Sequence, residues 1–143
     1  MRGEASVGDY RKLLVWQRAT GLARRVRALV DALPPRERRN IGDQLLRASG
    51  SIRFNIAEGA GLNSDAGFAR HLRIAPGSAN EVQDQLADLE AVGLLAESDR
   101  ELPKEVAEIR AMLAVLHRRV SADAATSNSP RAHTERPPSK FLR

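Results

Sequence analysis

The sequence predicts an all-α protein, an antiparallel up-and-down four-helix bundle followed by a disordered C-terminal tail. Apolar residues recur at steps of three and four in four separate segments, which returns each side chain to one face of a helix. No segment alternates apolar and polar residues in the manner of a strand, and β-branched and aromatic residues are sparse. Short polar or proline-containing turns separate the segments, and short connections favour antiparallel neighbours.

The 143 residues suit one domain with a tail. We expect a flexible N-terminus over residues 1–10, the bundle over 11–120 and the disordered tail over 121–143, where the apolar period stops and small polar residues and prolines dominate. The predicted helices span about 12–33, 36–60, 65–94 and 99–121. Their apolar stripes comprise Val15, Ala19, Leu22, Val26, Leu29 and Leu33; Ile41, Leu45, Ala48, Ile52 and Ile56; Phe68, Leu72, Ala75, Ala79, Val82, Leu86 and Leu89; and Leu102, Val106, Ile109, Leu113, Leu116 and Val120.

Two prolines separate the first helix from the second. Pro34 disfavours the α conformation of Leu33, so the first helix is predicted to end there. Pro35 fits the first turn of the second helix, because a backbone N–H has no helical partner at that position. The turn between these helices is therefore predicted to be tight.

The second helix ends in NIAEGAG, residues 55–61, which at first sight suggests a phosphate-binding loop. The stretch lacks the GK[ST] ending of such a loop and follows a helix instead of a strand. We interpret Gly59 and Gly61 as the flexible or left-handed backbone that ends a helix. Ser64 then caps the third helix.

Prolines also mark the third and fourth helices. Pro76 lies inside the third apolar stripe and removes one backbone donor, so we expect a kink or a split near residues 72–76. Ser98 and Glu101 match a capping box before the fourth helix. Pro103 follows closely, and the helix start at that proline remains the alternative.

Helix 2 has a second face of apolar or small residues, opposite its core stripe. Such a helix usually contacts protein on both sides, so we expect this face to contact a neighbouring subunit. The alternative is a scatter of exposed apolar residues. The predicted oligomer interface consists of Leu46, Gly50, Arg53, Phe54 and Ala57.

A polar row runs between the two faces of helix 2, and helix 3 carries a similar row. We expect a structural hydrogen-bond and ion-pair network in which Arg47 pairs with Glu58 or Glu81. A reaction centre with Glu58 and Glu81 as acid and base is the alternative. The predicted network consists of Arg47, Ser51, Asn55, Glu58, Ser78, Glu81 and Gln85.

The net charge of +5 is unevenly distributed. Residues 1–39 contain ten Lys and Arg against four Asp and Glu, whereas residues 77–120 contain five against nine. Nearly all the basic residues are arginine, whose planar guanidinium binds phosphate bidentately. We expect backbone binding to nucleic acid without base reading, because few aromatic residues are present for stacking; a solvated basic face is the alternative. The predicted nucleic-acid site consists of Arg11, Lys12, Arg18, Arg24, Arg25, Arg27, Arg36, Arg38 and Arg39.

No chemistry of an enzyme is visible. The chain has no cysteine, and its histidines, His71, His117 and His133, are far apart and expected on the surface. We therefore expect no catalytic residue, no metal and no cofactor. Neither a targeting signal nor an uninterrupted run of 18 apolar residues occurs, which favours a cytoplasmic protein that does not contact the membrane.

Four stretches carry a resemblance to a known family: LLVWQ at 13–17, LPPRER at 33–38, QLLRASGSIRFNIAEGAG at 44–61 and IAPGSANEVQDQL at 74–86. They resemble the four helix bundle proteins encoded in intervening sequences of bacterial 23S ribosomal RNA genes. That family is similar to the accessory variability determinant protein of diversity-generating retroelements. The chain departs from the family pattern at Arg53 and Phe54, where a proline and a serine are common, and at Pro76, where leucine is usual.

The resemblance implies a ring-shaped homopentamer without established enzymatic activity. In the retroelement relatives it also implies a basic surface that engages nucleic acid and a reverse transcriptase. We therefore expect a non-enzymatic accessory factor that assembles as a homo-oligomeric ring and binds RNA or duplex backbone with low sequence specificity. The alternative is a protein-interaction scaffold that binds no nucleic acid and whose basic region docks on acidic residues of helices 3 and 4.

Overall fold

The structure is a computed structural model and describes residues 9–127. Within this range the chain forms four long helices and no strand, which confirms the predicted all-α four-helix fold. Each helix packs against the next one along the chain, and α1 also contacts α4. The helices are α1 (Leu14–Asp31), α2 (Asp43–Gly61), α3 (Asp65–Ala91) and α4 (Leu102–Ser127).

One apolar core runs through the bundle. The residues of the four predicted stripes are buried, except Ile41, which is half-buried. The burial follows from the spacing, since steps of three and four residues hold a side chain on the face that meets the neighbouring helices. The largest fully buried side chains are Leu22, Val26, Val30, Leu45, Ile52, Ile56, Leu72, Leu86, Leu89, Leu102, Ile109 and Leu113.

The connection from α1 to α2 is tight, as predicted. Pro35 begins a single α-helical turn, Pro35–Glu37, which continues without a break through a five-residue π-helical segment, Arg38–Gly42, into α2. No pattern in the sequence predicts the π-helical segment. Its last residue must be small, because a Cβ on Gly42 would lie only 2.8 Å from Cγ1 of Val30.

The two glycines at the end of α2 do not have the left-handed backbone predicted for a helix end. Gly59 and Gly61 are both helical, and the one residue with positive φ within 9–127 is Gly93. Gly59 instead permits close packing of α2 on α3, because a Cβ there would lie 2.8 Å from Cβ of His71. The predicted cap of α3 is present: the Ser64 hydroxyl accepts a hydrogen bond from the backbone N–H of Gly67 at 3.0 Å.

Helix α3 is continuous across Pro76, so the split that the proline suggested is wrong. Buried neighbours on both sides of Pro76 hold the helix against the core, although the proline offers no N–H to the carbonyl of Leu72. The helix ends at Ala91, followed by Gly93 at φ 76°. The N–H of Leu94 bonds the carbonyl of Leu89 at 2.8 Å, which is the six-to-one bond of a Schellman ending.

Helix α4 begins at Leu102, next to Pro103, and not at the predicted Ser98 cap. Ser98 lies instead in a short 3₁₀ helix, Glu97–Asp99. At its other end α4 continues to Ser127, beyond the predicted end near residue 121, because the alanine-rich stretch that follows is compatible with a helix. The rest of the predicted tail lies outside the described residues.

Candidate nucleic-acid interface and interhelical network

The basic residues predicted to bind nucleic acid lie on α1, in the turn before it and at the start of the helical region that leads into α2. Eight of the nine are exposed, and Arg18 is half-buried. α1 contributes Arg24, Arg25 and Arg27, and the tight turn that follows it contributes Arg36, Arg38 and Arg39; we call the surface of this helix and turn the basic side. The uneven charge of the sequence thus corresponds to a surface on which cationic side chains reach solvent.

Arg18 differs from the other basic residues, because its half-buried guanidinium binds carboxylates of the same chain. Its Nε and Nη2 donate to the two carboxylate oxygens of Glu105 at 2.7 and 2.8 Å, and Nη2 also donates to Glu108 at 3.3 Å. The hydrogen bond from Arg18 holds the pKa of Glu105 below its usual value, and desolvation only partly opposes this effect. Arg18 therefore joins α1 to α4, which corrects its assignment to the nucleic-acid site.

The remaining basic residues differ in whether they form hydrogen bonds or ion pairs with other residues of the chain. Arg25 and Arg38 each donate to a backbone carbonyl at 3.4 Å, of Ser98 and Leu33 respectively. Arg11 and Lys12 lie 3.4 and 4.0 Å from carboxylate oxygens of Asp9. Of the nine residues of the predicted nucleic-acid site, four have no hydrogen bond or ion pair with another residue of the described range: Arg24, Arg27, Arg36 and Arg39.

A groove of about 290 Å³ separates α1 from α2 on this basic side. The guanidinium carbon of Arg53 lies 4.8 Å from the centroid of the Phe54 ring, which is 58% exposed. Thr20 forms part of the wall and is only 6% exposed. The lining residues are Thr20, Ala23, Arg24, Arg27, Leu46, Ser49, Gly50, Arg53 and Phe54.

The groove accounts for much of the second apolar face of α2. Leu46, Gly50 and Arg53, predicted to contact a neighbouring subunit, are half-buried and face this groove beside α1 of the same chain. Ala57 is also half-buried, whereas Phe54 stays mostly exposed. Part of the apolar surface that indicated a partner is therefore covered within the subunit, and the interface itself stays a prediction.

On the other side of α2, polar residues form a network with α3. The Asn55 amide nitrogen donates to the carbonyl and the hydroxyl of Ser51, at 2.9 and 3.1 Å. Its oxygen lies 3.2 Å from Nδ1 of His71. Ser78 donates to the Ser51 hydroxyl at 2.9 Å, which completes a chain of bonds between the two helices. The Gln85 amide adds a separate bond, donated to the Gln44 oxygen at 3.1 Å.

The fold and these residues agree with one protein family. The family model described as 23S rRNA-intervening sequence protein matches residues 11–115. The chain belongs to this family. The match begins before α1 and ends within α4, so it includes parts of all four helices, the groove and the network. No curated protein matches the chain.

In this member of the family, the charged residues of the predicted network do not take part in it. Arg47, Glu58 and Glu81 are exposed, and none forms an ion pair with another residue between 9 and 127. Arg47 and Glu58 are eleven residues apart in sequence, which separates them by roughly 16 Å along a helix axis. The predicted pairing of Arg47 is therefore wrong, whereas Ser51, Asn55, Ser78 and Gln85 do form interhelical hydrogen bonds.

His71 was expected on the surface, and the structure places it elsewhere. The ring is half-buried and bonded to Asn55, not a solvated surface group. Spacing could have revealed it, because His71, Ser78 and Gln85 recur every seven residues on the face of α3 that meets α2. His117 also has a partner, the Ser121 hydroxyl at 3.4 Å, and His133 lies outside the described residues.

Residues 9–127 contain no group of three or more histidine, aspartate or glutamate side chains placed to hold a metal ion. None of the helices in that range combines the length and apolar character that a bilayer crossing requires.

Proposed function

We propose that this member of the 23S rRNA-intervening sequence protein family is a non-enzymatic accessory protein that binds the backbone of RNA or duplex nucleic acid with low sequence specificity. The observation that carries the proposal is the set of exposed and unpaired arginines on α1 and in the turn that follows it, Arg24, Arg27, Arg36 and Arg39. Exposed guanidinium groups without carboxylate partners attract phosphates, and each phosphate contact releases condensed counterions. We expect the protein to act in the cytoplasm.

The proposal includes self-assembly into a ring. The large exposed apolar side chain of Ile74 on α3, which is 51% exposed and lies outside the groove, supports a contact with another subunit. A ring that repeats the basic side around an axis would raise the local positive potential and favour a long polyanion over a small one. The number of five subunits, and a reverse transcriptase as partner, follow from the family resemblance alone.

A protein-interaction scaffold is the second candidate. Asp84 and Asp88 on α3 are exposed and unpaired within the described range, and they could meet the basic side of a neighbouring copy. Glu105 and Glu108 on α4, which a scaffold contact could also use, are instead bound to Arg18. This engagement leaves fewer acidic groups for a scaffold contact and favours the nucleic-acid proposal.

Fluorescence anisotropy with labelled structured RNA and with duplex DNA, over a series of salt concentrations, tests the proposal. We expect affinity to fall steeply with salt. The double variant Arg36→Gln with Arg39→Gln should weaken binding to all sequences alike and lower the salt slope by about 1 to 2, since each lost phosphate contact removes about 0.7 to 0.9. The matched control is Arg70→Gln with Arg73→Gln, which removes the same charge from exposed positions on α3.

Two results would count against the proposal. Absence of binding at low salt refutes nucleic-acid binding and leaves the scaffold, and equal losses in the control variant refute the assignment to the basic side. Analytical ultracentrifugation tests assembly separately. A monomer at all micromolar concentrations refutes the ring.

A further inference from the structure

We propose that the groove between α1 and α2 is a binding site for a phosphate group, and that it holds one phosphate of a nucleic-acid strand. The source of the phosphate rests on the proposed function, whereas the site itself rests on the groove. Its walls carry three arginines, Arg24 and Arg27 from α1 and Arg53 from α2, and no acidic residue. Three cationic residues around one groove, without a counter-charge in its lining, favour an anion there.

Buried polar atoms without partners provide the second observation. Three buried side-chain atoms of the described residues have no hydrogen-bond partner, and two of them, Oγ1 of Thr20 and Nε of Arg53, belong to this groove. Such atoms are rare in folded proteins because an unpaired buried polar group costs free energy. Thr20 is only 6% exposed. Both residues line the groove and both groups can donate a hydrogen bond, so each lacks an acceptor of the kind that an anion supplies.

Phe54 positions Arg53 for this role. The guanidinium carbon lies 4.8 Å from the ring centroid, which fits a cation–π contact that holds the side chain in one orientation. The ring in turn lies close to the backbone of Gly50, where a Cβ would be 3.3 Å from Cε2 of Phe54. A cation held in place before binding loses less conformational entropy when the ligand arrives.

The chemistry of the donors favours phosphate over carboxylate. A carboxylate has two oxygens and is satisfied by one bidentate guanidinium, whereas a phosphate presents more oxygens and suits several donors from different directions. The volume of about 290 Å³ is small for a ligand pocket, since such pockets usually measure about 300 to 1,000 Å³. The groove therefore suits a small anion such as a single phosphate.

Thr20→Val is the sharpest variant, because it keeps the shape and charge of the groove and removes one donor. A diffuse basic surface would not respond to this change. We expect Thr20→Val to weaken binding of a short labelled RNA several-fold and Arg53→Gln to weaken it about tenfold, as for loss of a charged hydrogen bond. Arg53→Lys, which keeps the charge but loses the planar fork, should also bind more weakly. Arg70→Gln on α3 is the control for charge alone.

The outcomes separate the site from the proposed function. If the wild type binds RNA and both Thr20→Val and Arg53→Gln bind no worse than Arg70→Gln, the groove proposal is wrong and the proposed function stands. Sedimentation of every variant shows whether a loss of affinity accompanies a loss of assembly; a loss that occurs only with dissociation also overturns the proposal.

A second experiment uses inorganic phosphate as the ligand and does not need RNA. A ligand that binds the folded state raises its thermal stability, so phosphate should stabilise the wild type more than chloride does at equal ionic strength. Thr20→Val and Arg53→Gln should show a smaller difference, because only the general stabilisation by an excluded salt is left. Stabilisation by phosphate that depends on these residues, together with unchanged RNA binding, would assign the groove to free phosphate and overturn its role on a nucleic-acid strand.

Discussion

Gly59→Ala tests how closely α2 and α3 pack. A Cβ at this position would lie 2.8 Å from Cβ of His71 and 2.9 Å from Cδ1 of Phe68. The Cβ of His71 is attached to the α3 backbone and cannot rotate away, so the helices must separate or shift. Overpacking of this kind costs about 1–3 kcal/mol. A shift of His71 would also weaken its hydrogen bond to Asn55, which contributes about 1 kcal/mol to stability. In the opposite direction, replacing Gly by Ala in a helix adds about 0.5–1 kcal/mol to stability.

The expected net effect of Gly59→Ala is a loss of about 1–3 kcal/mol in the free energy of unfolding. Equilibrium urea unfolding followed by circular dichroism, at one fixed protein concentration, measures it. Gly61→Ala at the end of the same helix and Gly21→Ala inside α1 are the controls, because a Cβ at either position has no neighbour within 4 Å. If Gly59→Ala is as stable as these controls, the close approach of the two helices does not depend on glycine.

Three more substitutions test separate features. Ser64→Ala should lower the free energy of unfolding by about 1 kcal/mol through loss of the α3 cap, and Ser64→Asp should restore most of it. Thr20→Val should raise the free energy of unfolding by about 1 kcal/mol, because a buried hydroxyl without a partner is removed. Glu105→Gln should destabilise the protein near neutral pH and have little effect in acid. The folded pKa of Glu105 is lowered, so its contribution to the free energy of unfolding is complete above the unfolded pKa and is lost as pH falls through the folded pKa. Unfolding free energies of the wild type and Glu105→Gln, measured at several pH values, should therefore converge in acid.

The helical core was predictable because it depends on local spacing alone. Each stripe required only that apolar side chains return to one face, and a packed bundle then buried them. Ile41 is the exception because it lies in the π-helical segment, where more residues complete each turn and the phase of the stripe shifts. The end of α4 was missed for another reason: no glycine or proline follows until Pro130, so the change in composition at Ser121 was no stop signal.

The site was less predictable, because its contacts join residues from different helices. The sequence shows that Arg18 is basic but not that Glu105, on α4, accepts two of its hydrogen bonds. The second face of α2 likewise indicated a partner, and only the packing of α1 shows that this partner is partly the same chain. Composition therefore located the basic side, whereas the division into structural and free arginines required the fold.

The five-residue π-helical segment at Arg38–Gly42 has a consequence for chain length. Its turn closes one residue later than an α turn, so a deletion of one residue inside it would leave an ordinary α turn of the same helix. The core positions before and after would keep their rotational phase, and Pro35 would still start the helical region. Single-residue gaps between relatives of different length should therefore concentrate here, and a one-residue deletion in this segment should be tolerated better than one in the middle of α2.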